Sequence, residues 1–163
     1  MPNPTHFPNG TRLEALVIKE NKILLLHRKH DGQEYYVLPG GGWESPETFE
    51  EGVVREVLEE TSIQVTASRM VFDLAVKNDS RKVVYLCKYI SGEPKLGNFN
   101  EKASMENNPA DFYQPLWFPI SKLKEITLYT LEFRDWFLEN YQNGGLPQAI
   151  ERREIGIDEF RYN

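Results

Sequence analysis

The sequence predicts an α/β fold in which a mixed β-sheet is sandwiched between α-helices. Runs rich in β-forming residues alternate with helical runs along the 163 residues, which favours layers of helix packed on sheet. Residues 70–76 and 82–90 predict two strands joined at Asn78-Asp79-Ser80, and a hairpin of this kind is antiparallel. A doubly wound sheet of parallel strands is therefore disfavoured. The length favours a single domain over residues 1–163.

The first third of the chain predicts three strands ahead of the first helix. Residues 13–19 and 22–27 are rich in β-branched and large apolar side chains, and a polar pair of residues between them predicts a turn. Residues 34–38 are a further extended run, closed by Pro39-Gly40-Gly41-Gly42. The helix predicted next therefore follows a glycine-rich turn directly.

The rest of the chain predicts two helices and one more strand. Residues 47–60 carry apolar residues at helical spacing, and Ser45-Pro46 before them suits a helix start. Residues 91–111 form a long polar segment, and loops of that length are commonly functional lids or disordered. Residues 113–119 then read as a strand and 131–141 as an amphipathic helix.

The tail after the second helix has a composition of its own. Residues 144–163 are charged, and they predict a C-terminal extension to a core of about residues 11–141. The extension is interpreted as a small appendage or as part of a contact between subunits, such as a homodimer.

Composition excludes several classes of function. The chain has 25 acidic and 19 basic residues, a net charge of −6, whereas proteins that neutralise nucleic-acid phosphates carry a basic surplus. No run approaches the roughly 20 apolar residues that a membrane span requires. A lone cysteine, Cys87, forms no internal disulfide, which predicts a reducing cytoplasm. Cys87 is also a candidate nucleophile, although its apolar surroundings favour a buried strand.

The first helix concentrates acidic residues on one side. Seven glutamates fall between Glu44 and Glu60. At about 100° per residue, an apolar row forms along the helix, flanked by two further apolar residues; the row is Phe49, Val53 and Val57, and the flanks are Val54 and Leu58. On the same projection Glu56, Glu59 and Glu60 share one side, and Glu60 lies at the edge of the face that should be buried.

Two interpretations of this acidic side remain open from spacing alone. A solvated face explains Glu50 and Glu51, but it explains Glu60 poorly, because an unpartnered buried carboxylate is costly. A divalent cation such as Mg²⁺ prefers oxygen ligands and is commonly held by carboxylates together with substrate phosphates. The glycines at 40–42 are similarly open, since they suit either a simple tight turn or a backbone that approaches a ligand.

The spacing around this helix resembles the Nudix box of the MutT-like Nudix hydrolases. Gly41 is followed after five residues by Glu47, and after seven more by Arg55-Glu56-Val57-Leu58-Glu59-Glu60-Thr61-Ser62-Ile63. Every defined position of the box matches except its late glycine, which is Ser62 here. That glycine follows the helix as a cap, so its loss affects the geometry of the helix end rather than metal chemistry. The resemblance covers about residues 11–141 and implies the Nudix fold.

The resemblance implies roles for individual residues. Glu56, Glu59 and Glu60 are expected to bind Mg²⁺ or Mn²⁺, together with the carbonyl oxygen of Gly40. Glu47 is expected to pair with Arg55, which completes the implied catalytic set. Arg28, Gly40 and Gly41 are implied to contact the substrate, although Arg28 is equally well interpreted as a surface arginine at a strand edge. The general base is expected to be Glu101, Glu106 or a glutamate of the box, although Glu101 and Glu106 are equally open to interpretation as plain surface residues.

The implied reaction is hydrolysis of a diphosphate in a small nucleotide. A nucleoside triphosphate, or a nucleoside diphosphate linked to a second group, would give a nucleoside monophosphate plus pyrophosphate or the phosphorylated group. The alternative is a nucleotide-sensing domain that binds without cleavage. ADP-ribose-cleaving members carry a proline about sixteen residues past the box, where this chain has Asp79. The substrate class therefore stays open at this point.

Overall fold

The computed structural model shows a mixed sheet with a helix on each face. It describes residues 10–76, 80–96 and 111–155. The elements in chain order are β1 (Thr11–Lys19), β2 (Lys22–His30), β3 (Gln33–Val37), β4 (Gly40–Gly42), α1 (Phe49–Thr61), β5 (Gln64–Val76), β6 (Arg81–Ser91), β7 (Phe112–Pro119), a 3₁₀ helix (Ile120–Glu125), β8 (Leu128–Tyr129), α2 (Leu131–Gln142) and β9 (Glu151–Ile155). The predicted α/β class is confirmed.

The sheet combines antiparallel and parallel pairs. Its strand order is β8-β3-β2-β1-β6-β5-β9, with β4 added to β1 and β7 added to β2. The β1–β6, β3–β8 and β5–β9 pairs are parallel, and the other pairs are antiparallel. β1 meets β2 only beside their connecting turn, where Ile18 lies opposite Ile23 and Lys19 opposite Lys22. Beyond that point β1 pairs with β4 and β2 pairs with β7, so the sheet divides into two parts.

The alternation of side chains along β1 and β2 separates two hydrophobic layers. Leu13 and Leu24 are buried in one layer with Val53 and Val57 of α1. Leu16 packs in the other layer, which contains the buried residues of α2, namely Phe133, Trp136, Phe137 and Leu138. The two helices therefore cover opposite faces of one sheet, as the sequence predicts.

The start of α1 differs from the prediction. The helix begins at Phe49 with Thr48 as its N-cap, so the start predicted from Ser45-Pro46 is wrong. The Thr48 hydroxyl accepts a hydrogen bond from the Glu51 N–H at 3.1 Å, and the Glu51 carboxylate accepts one from the Thr48 N–H at 2.8 Å. This reciprocal capping box satisfies two backbone donors, and a proline at position 46 satisfies neither.

The sheet is larger than predicted, since β4, β5, β8 and β9 all go beyond the prediction. Residues 40–42, predicted as a turn, pair with β1 as β4. β5 begins at Gln64 rather than at residue 70, and irregularities in its pairing with β6 accompany its length. β9 lies in the charged tail and pairs in parallel with β5, where the Asp73 carboxylate accepts hydrogen bonds from Arg81 and Arg152. The described part of the tail is thus a strand of the same sheet.

The described residues also show the length of the helices and the surroundings of Cys87. Among the residues with described positions, neither helix has the length and apolar character that crossing a bilayer requires. Cys87 lies in β6 with 3% of its surface exposed, and burial raises the pKa of its thiol to about 12. Because a protonated, buried thiol is a poor nucleophile, the structure favours the buried-strand interpretation of Cys87.

Candidate active site

The buried side of α1 contains carboxylates as well as apolar side chains. Val53 and Val57 are buried as predicted, and Glu60 is only 6% exposed, which confirms its predicted place at the edge of the buried face. Glu56 is also buried, whereas the side chain of Glu59 is half exposed. Leu58, which flanks the apolar row, is 46% exposed, so the buried face of α1 ends before it.

Arg55 lies at the centre of the acidic cluster. Its Nε and Nη2 atoms donate to the two Glu47 carboxylate oxygens at 3.0 and 2.8 Å, which is the ion pair that the resemblance implies. Its Nη1 atom donates to Glu56 at 2.8 Å and to Glu59 at 3.4 Å. A further bond to the carbonyl oxygen of Gly42, at 3.4 Å, connects the helix to β4. The Arg55 guanidinium thus fixes β4, α1 and the segment between them that contains Glu47 relative to one another.

Burial and Arg55 act in opposite directions on the carboxylates. The hydrogen bonds from Arg55 lower the pKa of Glu47, and the same pairing raises the pKa of Arg55. Burial raises the pKa of Glu56, and the hydrogen bond from Arg55 opposes that shift only in part. Burial therefore destabilises the ionised form of Glu56, and a cation bound nearby would stabilise it.

The glycines of β4 permit contacts that any side chain would block. A Cβ atom on Gly41 would lie 2.5 Å from the Glu56 carboxylate, and one on Gly40 would lie 2.1 Å from the carbonyl oxygen of Leu13. The Gly40 N–H donates to the Glu60 carboxylate at 3.3 Å. Close approach, rather than a positive φ angle, is thus the reason for glycine at these two positions.

A second charged group beside β4 was not anticipated from the sequence. Arg12 donates to the Glu14 carboxylate at 3.0 Å and to the carbonyl oxygen of Gly40 at 3.3 Å. Lys82, from β6, lies 3.0 Å from the same carboxylate, and both Glu14 and Lys82 are almost fully buried. Alternation along β1 signals that Arg12 and Glu14 share a face. Their partners come from strands far away in the sequence, which no local pattern indicates.

Ser62 replaces the late glycine of the box and keeps its geometry. It forms the C-cap of α1 in the left-handed conformation, with φ 64° and ψ 15°, and its N–H donates to the carbonyl oxygen of Leu58. Its hydroxyl donates to the carbonyl oxygen of Lys95 at 2.9 Å, and the Lys95 N–H donates to the carbonyl oxygen of Thr61 at 2.9 Å. The end of α1 therefore anchors the segment that follows β6.

Arg28 lies near the end of β2, on the face of the sheet that α1 covers. Leu24 and Leu26 precede it on that face, and Leu24 packs against the apolar row of α1. The Arg28 side chain is partly buried and lies between the rings of Tyr35 and Tyr113. The interpretation of Arg28 as an open surface arginine therefore does not fit its surroundings.

The donor atoms of the site suit a hard divalent cation. Three carboxylates at helical spacing and a backbone carbonyl supply oxygen only, which is the chemistry that Mg²⁺ and Mn²⁺ prefer. Within the described ranges, no three His, Cys, Asp or Glu side chains converge closely enough to hold a metal ion. Arg55 engages Glu56 and Glu59 in this arrangement. Glu101 and Glu106, the candidate bases outside the box, lie outside the described residues.

The chain is similar to proteins of one known family. The family model described as the NUDIX domain matches residues 11–137. An ADP-ribose pyrophosphatase of Methanocaldococcus jannaschii is 36% identical over 97 residues, a match that covers 56% of this chain and 57% of that protein. The chain thus aligns with little more than half the length of this curated relative.

Solved structures show the same fold. A NUDIX hydrolase from Nitrosomonas europaea superposes with a TM-score of 0.69 at 18% identity, covering 93% of this chain and 81% of the other. An ADP-ribose pyrophosphatase from Streptococcus suis gives a TM-score of 0.61 at 25% identity, covering 89% of this chain and 98% of the other.

Proposed function

The chain belongs to the family defined by the NUDIX domain, and from this membership we propose that it hydrolyses the diphosphate of a small nucleotide with the help of Mg²⁺ or Mn²⁺. The substrate would be a nucleoside diphosphate linked to a second group, or a nucleoside triphosphate. Water would cleave one phosphorus–oxygen bond of the diphosphate. The products would be a nucleoside monophosphate and either the phosphorylated second group or pyrophosphate.

One observation carries this proposal. α1 buries Glu56 and Glu60 against β4, where the backbone of Gly40 and Gly41 lies within contact distance of both carboxylates. A helix that merely packed on a sheet would place apolar side chains there, because buried carboxylates are costly. A cation shared by the carboxylates and a polyanionic substrate would offset the cost of burying these carboxylates.

Each residue of the cluster has a proposed role. Glu56, Glu59, Glu60 and the Gly40 carbonyl would hold the cation, which neutralises charge on the diphosphate oxygens when it is bound. Glu47 and Arg55 would keep β4 and α1 in register, because phosphoryl transfer depends mainly on positioning. Arg28 and the Gly40-Gly41 backbone would contact the phosphates. The attacking water would give its proton to a glutamate, either Glu101, Glu106 or one in the box.

The relatives suggest which substrate to test first. The Methanocaldococcus jannaschii relative and the Streptococcus suis structure are both described as ADP-ribose pyrophosphatases. We therefore propose ADP-ribose or a similar nucleotide sugar as the first candidate, and AMP and ribose 5-phosphate would be the products from ADP-ribose. Nucleoside triphosphates remain the second candidate, because Asp79 stands where the resemblance leads us to expect a proline in ADP-ribose-cleaving members of the family.

Mass spectrometry of the products provides the test. The full chain is incubated with Mg²⁺ or Mn²⁺ and a panel of ADP-ribose, nucleotide sugars, ordinary and oxidised triphosphates, and dinucleoside polyphosphates. Glu60→Gln is expected to lower turnover by at least about 100-fold, as the loss of a group that stabilises a transition state does. Glu139→Gln, an exposed glutamate on α2, serves as the matched control and is expected to retain full turnover.

Two other results would change the conclusion. Turnover that survives in Glu60→Gln would contradict the proposed cation site. Tight binding of a panel member by the wild-type chain without product would instead assign the nucleotide-sensing alternative. Parallel incubations of Glu101→Gln and Glu106→Gln test the two candidate bases outside the box, since removal of the base is expected to lower kcat by about 100-fold or more. Full kcat in both variants would assign the base to a glutamate of the box.

A further inference from the structure

Arg28 is bracketed by two tyrosines from neighbouring strands. It lies directly opposite Tyr35 of β3 on one side and directly opposite Tyr113 of β7 on the other. Residues that face each other across a sheet project to the same side, so the three side chains form a row across three strands. The register of the sheet thus creates this row from segments that are far apart in the sequence.

Both rings lie within range of the Arg28 charge. The guanidinium carbon is 4.9 Å from the centre of the Tyr113 ring and 5.7 Å from that of the Tyr35 ring. Cation–π attraction operates within about 6 Å, and arginine stacks well because its guanidinium is planar. The Arg28 Nε atom is buried and makes no hydrogen bond to any residue within the described ranges. Within the described part of the chain, the two rings are therefore the contacts that orient the guanidinium.

The tyrosines are themselves fixed by packing. Tyr35 is 3% exposed and Tyr113 is 8% exposed, and both belong to a small cluster with Leu26, Val37 and Leu96. Leu96 directly follows Lys95, whose N–H is bonded to the end of α1. The same cluster therefore joins the tyrosines to the helix that carries the glutamates. Because they are buried, the two rings are poorly placed to stack on a substrate, and they are well placed to orient Arg28.

We propose that Tyr35 and Tyr113 are positioning residues that hold the Arg28 guanidinium in a conformation ready to bind a diphosphate. This inference rests on the proposed function, since the diphosphate of the substrate is the group that Arg28 would contact. An unrestrained arginine has many conformations and loses that freedom on binding. Rings that fix the guanidinium beforehand reduce this loss, so they favour binding of the substrate rather than the chemical step.

The opposite face of the same strands provides a matched control. His27 and Tyr36 occupy the adjacent register positions, and their rings stack at 4.4 Å on the side that α2 covers. Tyr36→Leu removes a comparable ring from the same strand without touching Arg28. It is expected to leave the affinity for the diphosphate unchanged.

The experiment measures KM and kcat with the panel compound that the wild-type chain cleaves. It also measures the Kd of α,β-methylene-ADP by calorimetry in the presence of Mg²⁺. Tyr113→Leu is expected to raise KM and Kd by about 5- to 30-fold, which corresponds to a cation–π contact, while kcat changes by less than about twofold. Tyr113→Phe keeps the ring and is expected to resemble the wild type. Melting temperatures establish that each variant is folded at the temperature of the assay.

Two further variants cover the case in which Tyr113→Leu does not fold. Tyr35→Leu tests the other ring, and Arg28→Lys keeps the charge but loses the planar group that stacks. Both are expected to raise Kd in the same direction as Tyr113→Leu. Unchanged KM and Kd in the folded tyrosine-to-leucine variants, alongside a raised Kd in Arg28→Gln, would overturn the inference.

The outcomes separate this inference from the proposed function. If the wild-type chain binds the analogue but hydrolyses nothing, the hydrolase proposal fails, and the Kd values still decide the role of the tyrosines. A wild-type chain that neither binds nor cleaves any diphosphate would overturn both. A fall in kcat with KM and Kd unchanged would assign the tyrosines to a different role and contradict the positioning proposed here.

Discussion

The two helices cover opposite faces of one sheet and differ sharply in what they bury. α2 buries Phe133, Trp136, Phe137 and Leu138, all of them large and apolar. α1 is one residue longer, yet its buried residues include Gly52, Glu56 and Glu60, and its fully apolar contribution is Val53 and Val57. α2 is therefore held mainly by apolar burial. α1 is held to a greater extent by polar contacts, above all those of Arg55.

This difference suggests that the two helices contribute differently to stability and to activity. Aromatic residues bury the largest apolar areas, and α2 supplies three of them to the core. α1 gives up part of that area to place carboxylates beside a glycine strand. We expect substitutions on α2 to act mainly on stability, and substitutions in the polar network of α1 to act mainly on activity.

The largest expected effect on stability comes from Phe133→Ala. Phe133 is 1% exposed and its ring contacts those of Phe72, Trp136 and Phe137. Its truncation is expected to lower the free energy of unfolding by about 3–5 kcal/mol, with kcat of the folded fraction unchanged. Urea-induced unfolding provides the measurement. The comparison breaks if Val57→Ala on α1 costs as much.

Arg55→Gln tests the polar network directly. Glu47, Glu56 and Glu59 lose charged donors, so the free energy of unfolding is expected to fall by about 1–3 kcal/mol. Because β4 and α1 lose their common anchor, kcat/KM is expected to fall by about 100-fold. Arg134→Gln on α2, where the partner Asp135 is exposed, is the matched control. An equal loss of activity in that control would contradict the division between the helices.

The C-cap of α1 predicts a smaller effect. Ser62→Ala leaves a non-glycine residue in the left-handed conformation, which favours glycine, and it removes the hydrogen bond to Lys95. It is therefore expected to lower the free energy of unfolding by about 1 kcal/mol. Ser62→Gly loses the same bond but relieves the backbone, so its cost is expected to be smaller. Thermal unfolding of the two variants side by side measures the difference. A greater loss for glycine than for alanine would show that the cap is not strained.

The smallest expected effect concerns a part-buried contact of α1. The Tyr85 hydroxyl donates to Glu50 at 3.1 Å, and Tyr85→Phe is expected to cost about 0.5 kcal/mol at pH 8. Burial raises the pKa of Tyr85 to about 12, above its unfolded value near 10. The contribution of the hydroxyl is thus complete below about pH 10 and disappears as the pH rises through the folded pKa. Urea unfolding of the wild type and Tyr85→Phe, at pH 8 and near the folded pKa of about 12, provides the test. The difference in the free energy of unfolding between the two proteins is expected to shrink at the higher pH.

The sequence predicted best what depends on a single element. Helical period alone placed Glu60 at the edge of the buried side of α1, because its neighbours there belong to the same helix. The Glu47–Arg55 pair was implied by the resemblance to the Nudix box, whose residues all lie within one short segment. Leu58 shows the limit of this reasoning, because a helical projection does not determine where the contact with the sheet ends.

Features that depend on strand pairing were missed. Glu14 meets Lys82 because β1 runs beside β6, and Arg12 reaches Gly40 because β1 also pairs with β4. Neither pairing follows from local composition. β9 was missed for a different reason, since Glu-Arg-Arg-Glu-Ile carries little β-forming character on its own. Its place depends on β5 and on the contact of Arg152 with Asp73.

The anchoring of Lys95 on the end of α1 has a consequence for how this protein can diversify. Residues 92–96 are fixed against Thr61 and Ser62, and β7 begins at Phe112 beside β2. Whatever its sequence, the chain segment between Lys95 and Phe112 must begin beside the end of α1 and end beside β2. Evolution or a protein engineer can exchange that segment while its two attachment points are kept. The helix with Glu56, Glu59 and Glu60 is then kept, whereas the proposed general base is replaced if it is Glu101 or Glu106.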